Sequence, residues 1–254
     1  MTFRKLTMLL SLVLSAGLPA LIGQQSQPAD FSGVYYTIRP PVPGLSRAQG
    51  KDPSERPTRS APGSTDTAEL GPNAPSLTPE YKAKLEVIRK SLISGSPLYD
   101  MAIKCLPAGM PKMMNMDYGM EVMQTKDKIT FFSEVNDQLR RVYLDGRKPT
   151  QKILDDPTYA GYSTGRWAGD TLVVETVALR AETFMDIIAP HSDAMTVQER
   201  IRFASPGILE DRITVTDPKA LTKPWDQIQT YRKAAPGKDE LREFACPEGL
   251  ADAK

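Results

Sequence analysis

From Gly119 onward, short apolar-rich runs alternate with turn residues, and within each run the apolar positions recur with a period of two. The runs Met120 to Thr125, Ile129 to Glu134, Leu139 to Leu144, Tyr162 to Trp167, Thr171 to Val177, Ala194 to Phe203, Ile208 to Thr216, Gln227 to Arg232 and Leu241 to Ala245 each read as a strand. A further short strand opens with Asp30-Phe-Ser-Gly-Val-Tyr-Tyr. Asp145-Gly146 and Gly169-Asp170 are turn signals, and the second joins two clear strands into a hairpin. One window has helical spacing: after Thr78-Pro79-Glu80, with a hydroxyl N-cap and proline in the first turn, Tyr81, Leu85, Ile88 and Leu92 share a face, and Gly95 ends it. Many strands and one good helix predict a mainly β chain, an antiparallel sheet curled into a barrel or sandwich. No parallel βαβ rhythm, phosphate loop or dinucleotide fingerprint interrupts it, so no cofactor is expected.

Composition changes this picture at the N-terminal end. Residues 1–23 have a basic start (Arg4, Lys5), an apolar run from Leu6 to Leu14 and small residues at Ala16, Ala20 and Gly23, the pattern of a secretory signal peptide cleaved between about residues 16 and 29. The run is too short for a membrane anchor, and no cysteine marks a lipoprotein site. A periplasmic or secreted location follows as the expectation. Residues 37–78, rich in proline, glycine and serine, read as an extended or disordered arm or linker with too little apolar surface to offset its ordering entropy. Residues 79–248 make a single β-rich domain and 249–254 a disordered tail. Removing Arg4 and Lys5 turns 32 Lys+Arg against 31 Asp+Glu into 30 against 31, a balance that excludes nucleic acid as an electrostatic partner. The two cysteines, Cys105 and Cys246, most simply pair in an oxidising compartment, closing a long loop for about 4–5 kcal/mol in the entropic account.

Candidate chemistry concentrates on the run from Ala194 to Phe203. Met195, Val197, Ile201 and Phe203 form its apolar face, and Glu199 shares their register. Extending the strand backward places Asp193 and His191, the sole histidine, on the same inward side. A histidine paired with Asp193 or Glu199 in a partly dry cavity is a candidate general base. The competing reading makes Pro190-His191-Ser192-Asp193 a capping turn and lets Glu199 neutralise a buried arginine such as Arg141 or Arg166. A single histidine leaves too few ligands for zinc, and no metal site is expected. Seven methionines lie between Met101 and Met123; with Cys105, Met110, Met113, Met114 and Met116 are conceivable soft ligands for Cu(I), or flexible thioethers filling an irregular gap or lining an adaptable pocket.

Cys105-Leu-Pro-Ala-Gly-Met-Pro-Lys-Met-Met, Ala160-Gly-Tyr-Ser-Thr-Gly-Arg-Trp-Ala-Gly-Asp-Thr-Leu-Val-Val-Glu-Thr, Pro190-His-Ser-Asp-Ala with Glu199-Arg200, and Asp217-Pro through Thr222-Lys-Pro-Trp resemble a family of exported bacterial proteins without an assigned activity. The resemblance runs from about Phe31 to Cys246 and implies export and a shared fold. Family members often carry histidine where this chain has Tyr162. The opening Phe31-Ser-Gly-Val-Tyr is also similar to the start of lipocalin-like barrels, which implies a barrel with a ligand cavity and favours barrel over sandwich.

The leading functional expectation is a barrel that binds a small, partly hydrophobic molecule in an apolar cavity lined by Met113, Met114, Tyr162, Arg166, Met195 and Val197. The alternative is a cofactor-independent lyase, isomerase or hydrolase using His191 with Asp193 or Glu199. A copper-binding or envelope-structural role is third.

Overall fold

The computed structural model describes residues 28–38, 73–94, 105–116, 118–186, 188–237 and 240–244. The segment expected to be a signal peptide, most of the proline-rich arm, Cys246 and residues 249–254 lie outside the described residues. Nine strands follow one another around a closed barrel: β1 (Gly33–Ile38), β2 (Met120–Gln124), β3 (Lys128–Ser133), β4 (Gln138–Tyr143), β5 (Tyr162–Ala168), β6 (Thr171–Val177), β7 (Thr196–Ser205), β8 (Ile208–Thr216) and β9 (Trp225–Lys233). Helix α1 (Pro79–Ile93) precedes β2, and the four-residue α2 (Gln151–Leu154) lies between β4 and β5. No described helix is long and apolar enough to cross a membrane.

The strands follow from the two-residue period. In β8, Leu209, Asp211, Ile213 and Val215 are buried, while Arg212 and Thr216 are exposed. In β4, Gln138, Arg140 and Val142 are buried, while Leu139 and Arg141 are exposed. Inward residues of all nine strands join one apolar core with Tyr81, Leu85 and Ile88 of α1. Phe31 anchors one part of it, its ring 5.3 Å from Trp167 and 5.2 Å from Phe203. The helix is tied to the β8–β9 connection, because the Thr78 N–H donates to the Ala220 carbonyl at 2.8 Å. Thr78 occupies the N-cap position as expected, yet its hydroxyl donates to the Lys219 carbonyl at 3.1 Å instead of capping the helix.

Three expectations need correction. Residues 241–244 form no strand, since β1 already pairs with β2 on one edge and β9 on the other, and a closed barrel offers no edge for a tenth. That segment instead covers the outer side of β1, where the Tyr36 hydroxyl donates to the Glu240 carbonyl at 3.2 Å. Thr37 and Ile38, assigned to the arm, belong to β1. The sheet also has one parallel step: β4 and β5 pair only at Val142↔Ser163 and Tyr143↔Thr164, joined by the crossover through α2. An all-antiparallel meander of nine strands would bring β1 and β9 together in the same direction. The single parallel step lets them close antiparallel.

The crossover ends in a bend at Gly161, which has φ +66°, and a Cβ there would lie 2.7 Å from the Val177 carbonyl oxygen and from two side chains. Gly146 has φ +77° with open space around it. Gly146→Ala is expected to cost about 1 kcal/mol through conformation alone, and Gly161→Ala about 2–3 kcal/mol through conformation plus clash. Urea unfolding of both variants measures the difference, and equal losses would contradict the crowding at Gly161.

Candidate functional site

The barrel lumen holds one fully dry ion cluster among its mostly apolar side chains. Arg140 projects inward from β4 and reaches three other strands: its Nε donates to Ser163 Oγ on β5 at 3.1 Å, its Nη2 to Thr176 Oγ1 on β6 at 3.0 Å, and its Nη1 to Glu199 Oε1 on β7 at 2.8 Å. A second Nη2 bond to Glu199 Oε2 completes a bidentate pair, with both side chains wholly buried. Ser163 and Thr176 share a hydrogen bond of 2.8 Å. Such geometry is what a dry arginine requires, because each unmatched N–H would carry its full desolvation cost. The inward register of Glu199 is as its sequence pattern predicted, but its partner is Arg140 and neither Arg141 nor Arg166; both of those side chains are exposed.

Asp211 joins this cluster from β8. Burial pushes its carboxyl well above the usual range, and the neighbouring Glu199 charge pushes it further, against the opposing pull of Arg140. Neither Asp211 oxygen finds a donor in the protein. The dry cluster thus gathers one guanidinium and two acids, and of the acids Asp211 is the one pushed toward its neutral form. Burial likewise pushes the Tyr231 phenol up, and its hydroxyl donates to the Met114 carbonyl at 2.6 Å.

The three residues proposed for acid–base work are not brought together. β7 begins at Thr196, and 193–194 form a turn, so the strand register does not extend back to His191. Asp193 is exposed and pairs with Lys219 at 2.6 Å. His191 is 3% exposed, with Nδ1 2.8 Å from the Ser192 carbonyl oxygen and Nε2 2.7 Å from Thr183 Oγ1. A carbonyl can only accept, so Nδ1 carries the proton of the neutral ring, and Nε2 meets the Thr183 hydroxyl, whose one proton also faces the Arg180 carbonyl at 3.1 Å. Burial holds the imidazole below its usual pKa. Both nitrogens are engaged, which leaves none for a substrate. The carboxylate that organises this turn is Asp217, 1% exposed, accepting from Ser192 N and Ser192 Oγ at 2.7 Å and from Ala220 N at 2.9 Å.

Met113, Met114, Met195 and Val197 pack into the core, each 3% exposed or less. Tyr162 and Arg166 lie on the opposite, outer side of β5 from buried Ser163. The expected lining is therefore divided between the core and the outside of the wall. Among the described residues no group of three or more His, Cys, Asp or Glu side chains could hold a metal.

A groove of about 430 Å³ opens on the outside of the wall at the β4–β5 seam. β4 and the residues before it contribute Asn136, Asp137, Gln138, Leu139, Arg141 and Tyr143, and the facing side is Thr158 to Tyr162, with Pro107 at one margin. Tyr143 and Tyr162 lie with ring centroids 5.3 Å apart, and the Arg147 guanidinium sits 4.3 Å from the Tyr143 ring. Arg147 is itself neutralised by Asp145. Asn136 and Asp137 both have positive φ, at 55° and 46°. Asn136 Nδ2 donates to the Leu106 carbonyl at 2.6 Å and Gln138 Oε1 accepts from Gly109 N at 3.1 Å, while Asn136 Oδ1 and Gln138 Nε2 are buried without a partner.

No protein-family model and no curated protein matches the chain. Among solved structures the chain is similar to the fluorescent protein UnaG: the wild type is 17% identical, with 54% of this chain and 88% of that chain covered at a TM-score of 0.28. Two single-site mutants of UnaG give 15% identity with the same coverage at 0.29, and 17% identity with 46% and 70% covered at 0.28. Overlap at this level transfers no function to this chain.

Two predictions follow from the dry groups. Arg140→Met strands a buried carboxylate and is expected to cost about 3–5 kcal/mol in urea unfolding, with part of the loss recovered on adding Glu199→Leu. Asp211, its pKa raised by folding, contributes stability below its unfolded value of 3.8 that is lost as pH rises toward its folded value. His191, its pKa lowered, acts in the opposite sense, costing stability as pH falls below 6.5. Stability of Asp211→Asn against pH is expected to lose the first slope and keep the second; an unchanged profile would show that Asp211 does not titrate between the folded and unfolded states.

Proposed function

We propose that this protein is a binding barrel, taking a small, partly hydrophobic molecule in the groove at the β4–β5 seam. The carrying observation is the groove itself: about 430 Å³, walled by Leu139 and three tyrosines, with amide and charged groups at its margin. An apolar wall beside polar groups that can orient a ligand is the make-up of a small-molecule site, and the volume falls at the lower end of the usual range. The groove, rather than a methionine-lined lumen, is the favoured place because the methionines named above are packed against their neighbours. An acid–base enzyme built on His191 has no such support, since both ring nitrogens are already bonded within the protein. The reading also takes up the expectation of an exported chain, with Cys105 paired to Cys246.

Titration with the neutral fluorescent probe N-phenyl-1-naphthylamine tests the site. Saturable binding is expected, weakened about tenfold, or 1.4 kcal/mol, by Leu139→Glu or Tyr162→Ala and unaffected by Met195→Leu in the core. Equal affinity in all three variants would remove the groove as the site. Alkylation of the denatured, unreduced protein followed by mass spectrometry is expected to find neither cysteine modified; two alkylated thiols would rule out the bridge.

A further inference from the structure

The groove exists because a strand lane has been vacated. Continuing the parallel register of Val142↔Ser163 and Tyr143↔Thr164 backward would set Gly161 beside Arg140, Ala160 beside Leu139 and Tyr159 beside Gln138. The chain leaves that lane at Gly161. Thr158 pairs instead with Leu179, its N–H donating to the Ala178 carbonyl at 3.0 Å and its carbonyl accepting from Arg180 N at 3.1 Å, while the Tyr159 carbonyl accepts from Met110 N at 3.0 Å.

β4 from Gln138 to Arg141 is therefore paired with β3 on one side and with no strand on the other, among the described residues. In an antiparallel ladder successive residues turn their N–H and C=O alternately toward and away from the partner strand. Two of these four residues thus present main-chain donors and acceptors to the vacant lane. An open edge of this kind is a template for another extended chain.

Resting on the groove as the binding site, we propose that its ligand is a short extended peptide segment that adds to β4 as a parallel strand. The parallel register of β5 sets its direction, and charge sets its residue order. Asp137, in the turn just before β4, and Arg141 stand exposed at the two ends of the lane, and neither enters an ion pair among the described residues. A peptide parallel to β4 places a basic residue near its start beside Asp137 and an acidic residue near its end beside Arg141. Leu139, Tyr143, Tyr159 and Tyr162 give apolar walls for the side chains between.

The test compares three tetrapeptides, acetylated and amidated so that only side chains carry charge: Lys-Val-Thr-Glu, the reversed order Glu-Thr-Val-Lys, and Lys-Val-Thr-Glu with its backbone nitrogens methylated. Calorimetric titration of the full protein is expected to give the first at least about tenfold tighter binding than the second, and no binding of the third. The Asp137→Lys, Arg141→Glu double variant, altered only at exposed positions, is expected to reverse the preference. Equal binding of the first two peptides, or retained binding of the methylated one, overturns the added-strand proposal. Binding of N-phenyl-1-naphthylamine with failure of every peptide overturns the proposal and spares the groove; failure of both probes overturns the groove reading as well.

Discussion

The Arg140 guanidinium is the contact on which the closed wall depends. β4 and β5 share only two residue pairs, the weakest join in the barrel, and backbone hydrogen bonds alone hold them poorly. Arg140 crosses behind that join and bonds side chains of β5, β6 and β7 in a dry interior. The attraction between Arg140 and Glu199 is strong there because no water screens it, and it offsets the cost of removing both charges from water only because the hydroxyls of Ser163 and Thr176 take further N–H groups. Asp211 adds a third ionisable group, which burial and the Glu199 charge push toward its neutral form.

The weak join and the outer groove have one origin. A nine-stranded barrel that closes antiparallel between β1 and β9 needs one parallel step, and that step needs a crossover. Here the crossover returns through 158–162 and bends at Gly161, where only a residue without a side chain fits beneath Val177 and Leu179. The bend shortens the β4–β5 pairing and leaves the first half of β4 with an open edge. The same stretch of β4 therefore faces two ways: Arg140 inward to the ion cluster, and Leu139 and Arg141 outward to the groove.

How far the site was legible depended on how many faces of a strand were apolar. Glu199 could be placed inside because Met195, Val197 and Ile201 leave no doubt about the inner face of β7. Asp211 has the same signature among Leu209, Ile213 and Val215 and could have been found in the same way. Arg140 could not, because Gln138-Leu-Arg-Arg-Val-Tyr-Leu144 has apolar residues on both faces and either arginine fits the inner one. His191 and Asp193 were placed inward by extending β7 past its true start at Thr196; in a turn, side chains no longer alternate.

By itself the sequence determined the mainly β class, the nine strands and the helix to within a few residues, and an inward acid on β7, since these depend on local periodicity and turn chemistry. Strand order, the single parallel step, the pairing of Glu199 with Arg140 and the groove at the seam came only with the tertiary structure. Each of these depends on which strand lies beside which, and the period of two that places a side chain inside or outside carries no information about its neighbour across the sheet.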